Sequence, residues 1–441
     1  MKNLDQLIQK YNRPGPRYTS YPPVPFWKGA PDEDTWLSHV AQHNNEGIDL
    51  YVHVPFCEKL CWYCGCNRTI TKDHSVENEL ISILKKEWSI YQNAIKDLKI
   101  NSLHFGGGTP TFLSPENLKE LISCLTSNRS ENFIGSIEVD PRTCTKEHLI
   151  LLKEMGFSRI SLGIQDFDPV VQKAINRYQP VSLVENLLKE IRSLEFESIN
   201  FDLIYGLPKQ SRESIVETIN IVKKLDPDLI AFYGYAHLPH KIKNQKLINN
   251  EDLPSPALRQ ELYQTGKALL KENGLVDIGM DHFAKESNYL YQAKLNHALH
   301  RNFMGYTDRK SKCLIGLGPS AISDSGVSFA QNHKDYKDYK EIISRGKLAF
   351  DNGHIQTADD LLTQKHILTL MCEDEASISE SIPYYQEIKK EMEDFQEDGL
   401  VVMEDNKVTL TETGKIFMRN IAMSFDFHLR TQTSVRFSQT V

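Results

Sequence analysis

Between residues 49 and 240 the chain alternates short, nearly all-apolar runs with stretches whose apolar residues recur every three or four positions. Runs of that length flanked by Gly and Pro predict strands buried on both faces, as in a parallel sheet, and the longer period predicts amphipathic helices. The predicted strands are 50–54, 102–105, 136–139, 159–163, 200–204 and 229–233. Between them Leu80, Leu84, Trp88 and Tyr91 form one helical stripe. Ser114-Pro115 sets a capping side chain before a proline at the first helical position. Ser182-Leu183-Val184-Glu185 fits a capping box, and Lys153-Glu154-Met155-Gly156 fits a helix end with a glycine cap.

Repeated strand–helix units with right-handed crossovers make a doubly wound sheet or a barrel, and six units are too few to close an eight-stranded barrel. The expected fold class is therefore α/β, an open partial (β/α)6 TIM-like barrel over residues 49–350. A lid-like N-terminal extension, 1–48, precedes it. A mainly helical, winged-helix-like domain, 351–441, follows. The extension is crowded with proline and aromatic residues (Tyr11, Pro14, Pro16, Tyr18, Tyr21, Phe26, Trp27), which need a surface to pack on. Near the other end, 400–403 and 407–410 read as a hairpin around Asp405-Asn406.

Charge narrows the partners. A net charge of −8 and the acidic run Glu391-Met392-Glu393-Asp394 argue against a nucleic-acid partner. The start lacks the apolar core of a signal peptide and no apolar stretch is long enough to span a bilayer, so a cytoplasmic chain without a membrane partner is expected.

The 8 cysteines change the picture more. Cys57, Cys61, Cys64 and Cys66 crowd into one short loop, which in a large chain without a leader points to a metal rather than to disulfides. Three thiolates spaced C-x₃-C-x₂-C can hold three irons of a cubane, whereas clusters that only transfer electrons normally have four cysteines. The iron left open is a Lewis-acid position suited to the amino and carboxylate groups of S-adenosylmethionine (SAM). A zinc site using all four cysteines is the alternative, but zinc knuckles draw ligands from two separated halves. Cys66 stays ambiguous between the two readings.

The loop Cys57-Glu58-Lys59-Leu60-Cys61-Trp62-Tyr63-Cys64 resembles the signature of the radical SAM enzymes, with Tyr63 in its aromatic position. Cys66, the segment Leu50–Pro55 before the loop and the N-terminal Tyr11–Pro22 segment narrow the resemblance to one family, the oxygen-independent coproporphyrinogen III oxidases. So do Gly106-Gly107-Gly108-Thr109, Glu138-Val139-Asp140-Pro141-Arg142, Gly163-Ile164-Gln165-Asp166-Phe167, Asp202–Pro208 and Gly316-Leu317-Gly318-Pro319-Ser320.

The resemblance implies one [4Fe–4S] cluster on Cys57, Cys61 and Cys64, and two SAM molecules. Tyr51, Gly107, Glu138 and Ile322 serve one; Tyr63, Gly108, Thr109, Gln165, Arg177, Asp202 and Ala236 serve the other. It further implies coproporphyrinogen III as substrate, with Arg13, Arg17 and Arg301 as candidate partners of its carboxylates. His53 and Cys66 are candidates for handling the substrate radical. The implied reaction turns two propionates into vinyl groups and gives protoporphyrinogen IX, with an unidentified reductant and electron acceptor, in a monomer. The glycine loop is expected to offer main-chain groups to the methionine end of SAM, and the N-terminal segment to close over the pocket. Two other readings compete: a heme chaperone related to these enzymes, and an iron–sulfur sensor binding DNA through the C-terminal module.

Overall fold

The computed structural model describes residues 3–43, 46–431 and 437–440. The chain divides into two compact units, one of residues 29–275 and 311–353, the other of residues 1–28, 276–310 and 354–441. This division runs across the boundaries drawn from the sequence at 48 and 350.

In the first unit, all six predicted strands form: β1 (Ile48–Val54), β2 (Ile100–Gly107), β3 (Arg129–Val139), β4 (Phe157–Gln165), β5 (Ser198–Tyr205) and β6 (Leu229–Gly234). They lie side by side in chain order, and every neighbouring pair is parallel. The connections run through α1 (Val76–Ala94), α2 (Pro115–Leu125), α3 (Lys146–Glu154), α4 (Val181–Ser193) and α5 (Arg212–Leu225). This is the open α/β arrangement expected of a partial barrel.

Leu50, Val52, Leu103, Phe105, Ile137, Leu162, Phe201 and Phe232 fill its core together with the helical stripe Leu80, Leu84, Trp88 and Tyr91. Each such side chain contributes about 1.5–3 kcal/mol on burial. The Ser114 side chain caps α2 by accepting from the Asn117 N–H, and Gly156 takes a positive φ of 87° just after α3. The expected capping box at Ser182 does not form. Helix α4 begins two residues earlier, at Val181 after Pro180, and has no side-chain cap.

A further strand, β7 (Leu314–Leu317), was not predicted and pairs parallel with β1 on the side away from β2. Beyond it, β8 (Ile322–Asp324) and β9 (Ser328–Asn332) continue the sheet antiparallel. The turn after β7 is tied to α1 by Glu87. This buried carboxylate accepts from the Gly318 N–H (2.9 Å), Asn332 Nδ2 (2.7 Å) and the Tyr339 hydroxyl (2.5 Å). Burial among neutral donors pushes Glu87 up to about 7.

The second unit carries the predicted C-terminal hairpin, Val401–Glu404 with Lys407–Leu410, with Asp405 at φ 55° in its turn. Strand Glu375–Ser377 joins as a third member, preceded by helix Ala358–Glu373 and followed by helix Tyr385–Glu397. Helix, strand, helix and hairpin in this order make the winged-helix-like module.

The N-terminal aromatics find their packing partners here. Leu7, Tyr11, Tyr18 and Tyr21 share a core with Leu370, Met392, Phe395, Phe417 and Ile421. Hydroxyls of Tyr18 and Tyr21 donate to Asp426 at 3.0 and 3.2 Å, and Arg419 donates to the carbonyls of Pro16 (3.0 Å) and Gly15. Deeper in the same core His354 and His428 donate to the two oxygens of Asp360, at 3.1 and 2.7 Å. Burial alone would raise this carboxyl, but the two histidine hydrogen bonds hold it far below the usual carboxylate range.

Candidate active site

The cysteine loop leaves β1 and is closed by a short parallel pairing of Phe56–Cys57 with Thr69–Ile70. The Thr69 N–H donates to Pro55 O (2.6 Å) and the Thr71 N–H to Cys57 O (3.0 Å). Other side chains reach the loop's carbonyls. Asn176 Nδ2 donates to Leu60 O (2.8 Å). Asn244 Nδ2 faces the carbonyls of Cys61 (3.3 Å), Trp62 (2.8 Å) and Cys64 (3.1 Å). Buried Gln245 donates to Tyr63 O (2.9 Å) and Ala236 O (3.1 Å). Every carbonyl from Leu60 to Cys64 thus meets a side-chain amide, and the main chain is fixed while the thiols stay available.

All the cysteines are free thiols; Cys57 and Cys61 are buried, Cys64 is half-buried and Cys66 is exposed. The Thr109 hydroxyl donates to Cys57 Sγ at 3.2 Å. Arg142 and Arg177 each donate a guanidinium N–H to Cys61 Sγ at 3.6 Å. Asp140 pairs with both, at 2.6 Å from Arg142 and 3.2 Å from Arg177. Burial would raise Asp140, but the Arg177 and Arg142 charges hold it well below its ordinary value. Burial pushes the Cys57 thiol up to about 11.

These residues suit an iron–sulfur cluster. Three thiols come from one loop, ringed by O–H and N–H donors and two guanidinium groups that offset thiolate charge. The Nε of Arg177 is buried without a hydrogen-bond partner, a donor left over for a bound group. Among the described residues, no three Cys, His, Asp or Glu side chains converge on a single ion. A cubane needs no such convergence, because each thiolate binds a different iron.

Beside the thiols, the glycine turn after β2 lies against β1. Gly107 has φ 108°, and a Cβ there would sit 2.7 Å from the His53 ring; one on Gly108 would sit 2.8 Å from the carbonyls of Val54 and Phe56. Only glycine fits. The amide hydrogens expected to face SAM are engaged within the chain. Gly107 N–H reaches Glu138 Oε2 (3.3 Å), Gly108 N–H donates to Val54 O (2.7 Å) and Thr109 N–H to Phe56 O (2.9 Å).

Tyr51, His53, Gly107 and Glu138 form one group. His53 is buried and donates through Nε2 to Asn67 O (2.8 Å), so its Nδ1 accepts from the Tyr51 hydroxyl (3.1 Å). Burial lowers its pKa and keeps the ring neutral. Tyr51 stacks on His104, and Glu138 lies 3.6 Å from His104 Nε2. Asp202 accepts from Ser161 Oγ and Asn200 Nδ2, both at 2.9 Å; burial, with Glu138 adding, pushes it up to about 6.

Arg177 also donates to Gly163 O (2.6 Å) two residues before Gln165, which ends β4 in the left-handed region at φ 70°. Such a backbone in a glutamine is uncommon and concentrates at functional sites. Tyr63 packs with Val171, Ile175 and Leu207, Ala236 is exposed, and Ile322 opens β8.

The three candidate substrate arginines belong to the other unit. Arg13 is exposed. Arg17 pairs with Asp281 at 2.5 Å. Arg301 is buried, donates to Arg17 O at 3.4 Å, lies over the Tyr306 ring and has an Nη1 without a hydrogen-bond partner. Asn244, Gln245 and Asn176 were missed from the sequence, since nothing local marks an amide that braces a loop more than a hundred residues away. Arg142 and Asp140 were noted only as part of a motif.

A profile of the Radical SAM superfamily matches residues 51–222, which hold the cysteine loop and most of strands β1 to β5. The oxygen-independent coproporphyrinogen III oxidase of Pseudomonas aeruginosa is 39% identical over 99% of this chain and 98% of its own length. That of Escherichia coli K12 is 38% identical over 99% and 98%. The solved structure of coproporphyrinogen III oxidase from Escherichia coli, described as a radical SAM enzyme, superimposes with a TM-score of 0.91 at 36% identity, covering 97% of this chain and 99% of that one. The chain belongs to the oxygen-independent coproporphyrinogen III oxidases, a family of radical SAM enzymes that use a [4Fe–4S] cluster and SAM.

Proposed function

We infer that the chain decarboxylates two propionate side chains of coproporphyrinogen III oxidatively to vinyl groups without oxygen, giving protoporphyrinogen IX in heme biosynthesis. The observation that carries this reading is the full-length similarity to the oxidases together with a loop that presents three thiols in one turn. When bound, the cluster and SAM supply the one-electron chemistry that removes a hydrogen atom from each propionate. Cys57, Cys61 and Cys64 hold the cluster, and Asn244 and Gln245 keep the loop's backbone in place.

Two SAM molecules are assigned, one to each set of residues. Tyr51, Gly107, Glu138 and Ile322 bind one; Tyr63, Gly108, Thr109, Gln165, Arg177, Asp202 and Ala236 bind the other. The carboxyl of Asp202 accepts ribose hydroxyls. Both ring nitrogens of His53 are engaged, which supports a role in orienting Tyr51 rather than in moving protons. Cys66 is exposed beside the ligand thiols and is the remaining candidate for handling the substrate radical. Arg13, Arg17 and Arg301 bind substrate carboxylates, and the open Nη1 of buried Arg301 supports its part in this.

The enzyme acts as a monomer in the cytoplasm, drawing on a reductant and an electron acceptor of the cell. No described helix is long and apolar enough to cross a membrane. Anaerobic reconstitution with iron and sulfide, followed by coproporphyrinogen III, dithionite and SAM, tests the reading. Formation of 5′-deoxyadenosine with decarboxylated porphyrin is expected. Tight heme binding without turnover would overturn it in favour of the heme chaperone.

A further inference from the structure

We propose that Arg142, held by Asp140 against the sulfur of Cys61, is a redox-tuning residue that raises the reduction potential of the cluster and so sets how readily it accepts its electron. The proposal rests on the cluster reading and concerns a residue outside the SAM and substrate sets.

Two of the three ligand thiols, Cys57 and Cys61, have different surroundings. Cys57 receives one neutral donor, the hydroxyl of Thr109. Cys61 receives two cationic donors, from Arg142 and Arg177, each at 3.6 Å. Arg177 is anchored by Gly163 O as well, so its position does not depend on Cys61. Arg142 leans on Asp140 more closely than Arg177 does: its Nε and Nη2 fork both engage the carboxylate, which also accepts its backbone N–H at 3.0 Å. The short Asp140–Pro141–Arg142 turn therefore presents one guanidinium edge to the carboxylate and leaves a further N–H for sulfur.

Reduction adds one electron to the cluster and no proton to the thiolates, so negative charge rises at the sulfurs. Donors and positive charge at sulfur stabilise that reduced state and raise the potential. Asp140 works against this by offsetting one of the two positive charges. The geometry thus assigns opposite signs to two adjacent side chains: the arginine raises the potential and the aspartate lowers it. Both sit in a half-buried pocket where water screens them little.

The test is a redox titration of the reconstituted holoenzyme without substrate, followed by electron paramagnetic resonance. Arg142→Gln is expected to lower the midpoint potential and to reduce several-fold the fraction of cluster reduced at a fixed dithionite potential. Asp140→Asn is expected to shift it upward. Unchanged potentials, or a shift of both variants in the same direction, would overturn the proposal. Should Arg142→Gln take up no cluster, Arg142→Lys decides. It keeps the charge but loses the fork that donates to sulfur, so a fall in potential supports the proposal and an unchanged potential overturns it. Failure of the cluster reading itself is distinguishable, because the unaltered chain would then show no reducible iron–sulfur signal.

Discussion

Around the cysteines, side-chain amides reach main-chain carbonyls: Asn244, Gln245 and Asn176 hold the loop, and the groups nearest the thiols point at sulfur. In the core of the second unit, buried side chains satisfy one another instead. Tyr18 and Tyr21 meet Asp426, and His354 and His428 meet Asp360. The first arrangement fixes a backbone and keeps reactive atoms free. The second pairs its buried hydroxyls and imidazoles with carboxylates inside the core, and no reactive atom is presented there.

Replacing a ligand thiol should break the first arrangement outright. Cys61→Ala is expected to abolish turnover and to lower the iron content of reconstituted protein; both are read from one preparation by iron assay and product chromatography. In the second unit, Asp360→Ala strips the shared acceptor from two buried histidines and should cost about 3–5 kcal/mol in chemical denaturation. Iron uptake by the folded variant should match that of the unaltered chain. A parallel fall in iron would erase the distinction between the two regions.

Asn244→Leu removes the donor facing three carbonyls while leaving every thiol in place. The expected result is a ~10–100-fold weaker hold on iron, measured as release to a chelator. Retention at the original level would show that the carbonyls need no brace.

The smallest effect concerns Glu87. Its folded pKa, about 7, lies above the ordinary 4.5, so its contribution to stability is complete below the ordinary value and is lost as pH rises to 7. Glu87→Gln should flatten that part of the stability profile by about 1–3 kcal/mol. Asp360 has the opposite sign, since its depressed pKa makes it lose stability as pH falls below the carboxylate range. Both slopes are visible in denaturation curves taken across pH.

The six parallel strands were legible because burial on both faces leaves nearly continuous apolar runs, as in Leu50-Tyr51-Val52-His53-Val54. The strand at Leu314–Leu317 was not, since four residues beside Gly318 and Pro319 look like a turn and their partner is β1, far back in the chain. The cysteine spacing marked the thiols proposed for the cluster, and the family motifs marked the residues proposed for SAM. The Asn244 and Gln245 brace left no trace, because a side-chain amide on a carbonyl constrains neither period nor composition. The glycine turn was expected to bring main-chain groups close to SAM. What comes close is the cysteine strand itself, and that strand takes up the amide hydrogens of Gly108 and Thr109.

The pairing of Leu314–Leu317 with Ile48–Val54 also fixes an order of events during synthesis. The strand that leads into the cysteine loop emerges early from the ribosome, yet its second neighbour is translated only after most of the protein has been made. Arg419 donating to Pro16, 403 residues away, makes closure of the second unit later still. Iron delivered before Leu314–Leu317 is made would meet thiols on a half-built scaffold, so the loop has its full support only once that strand has paired with β1.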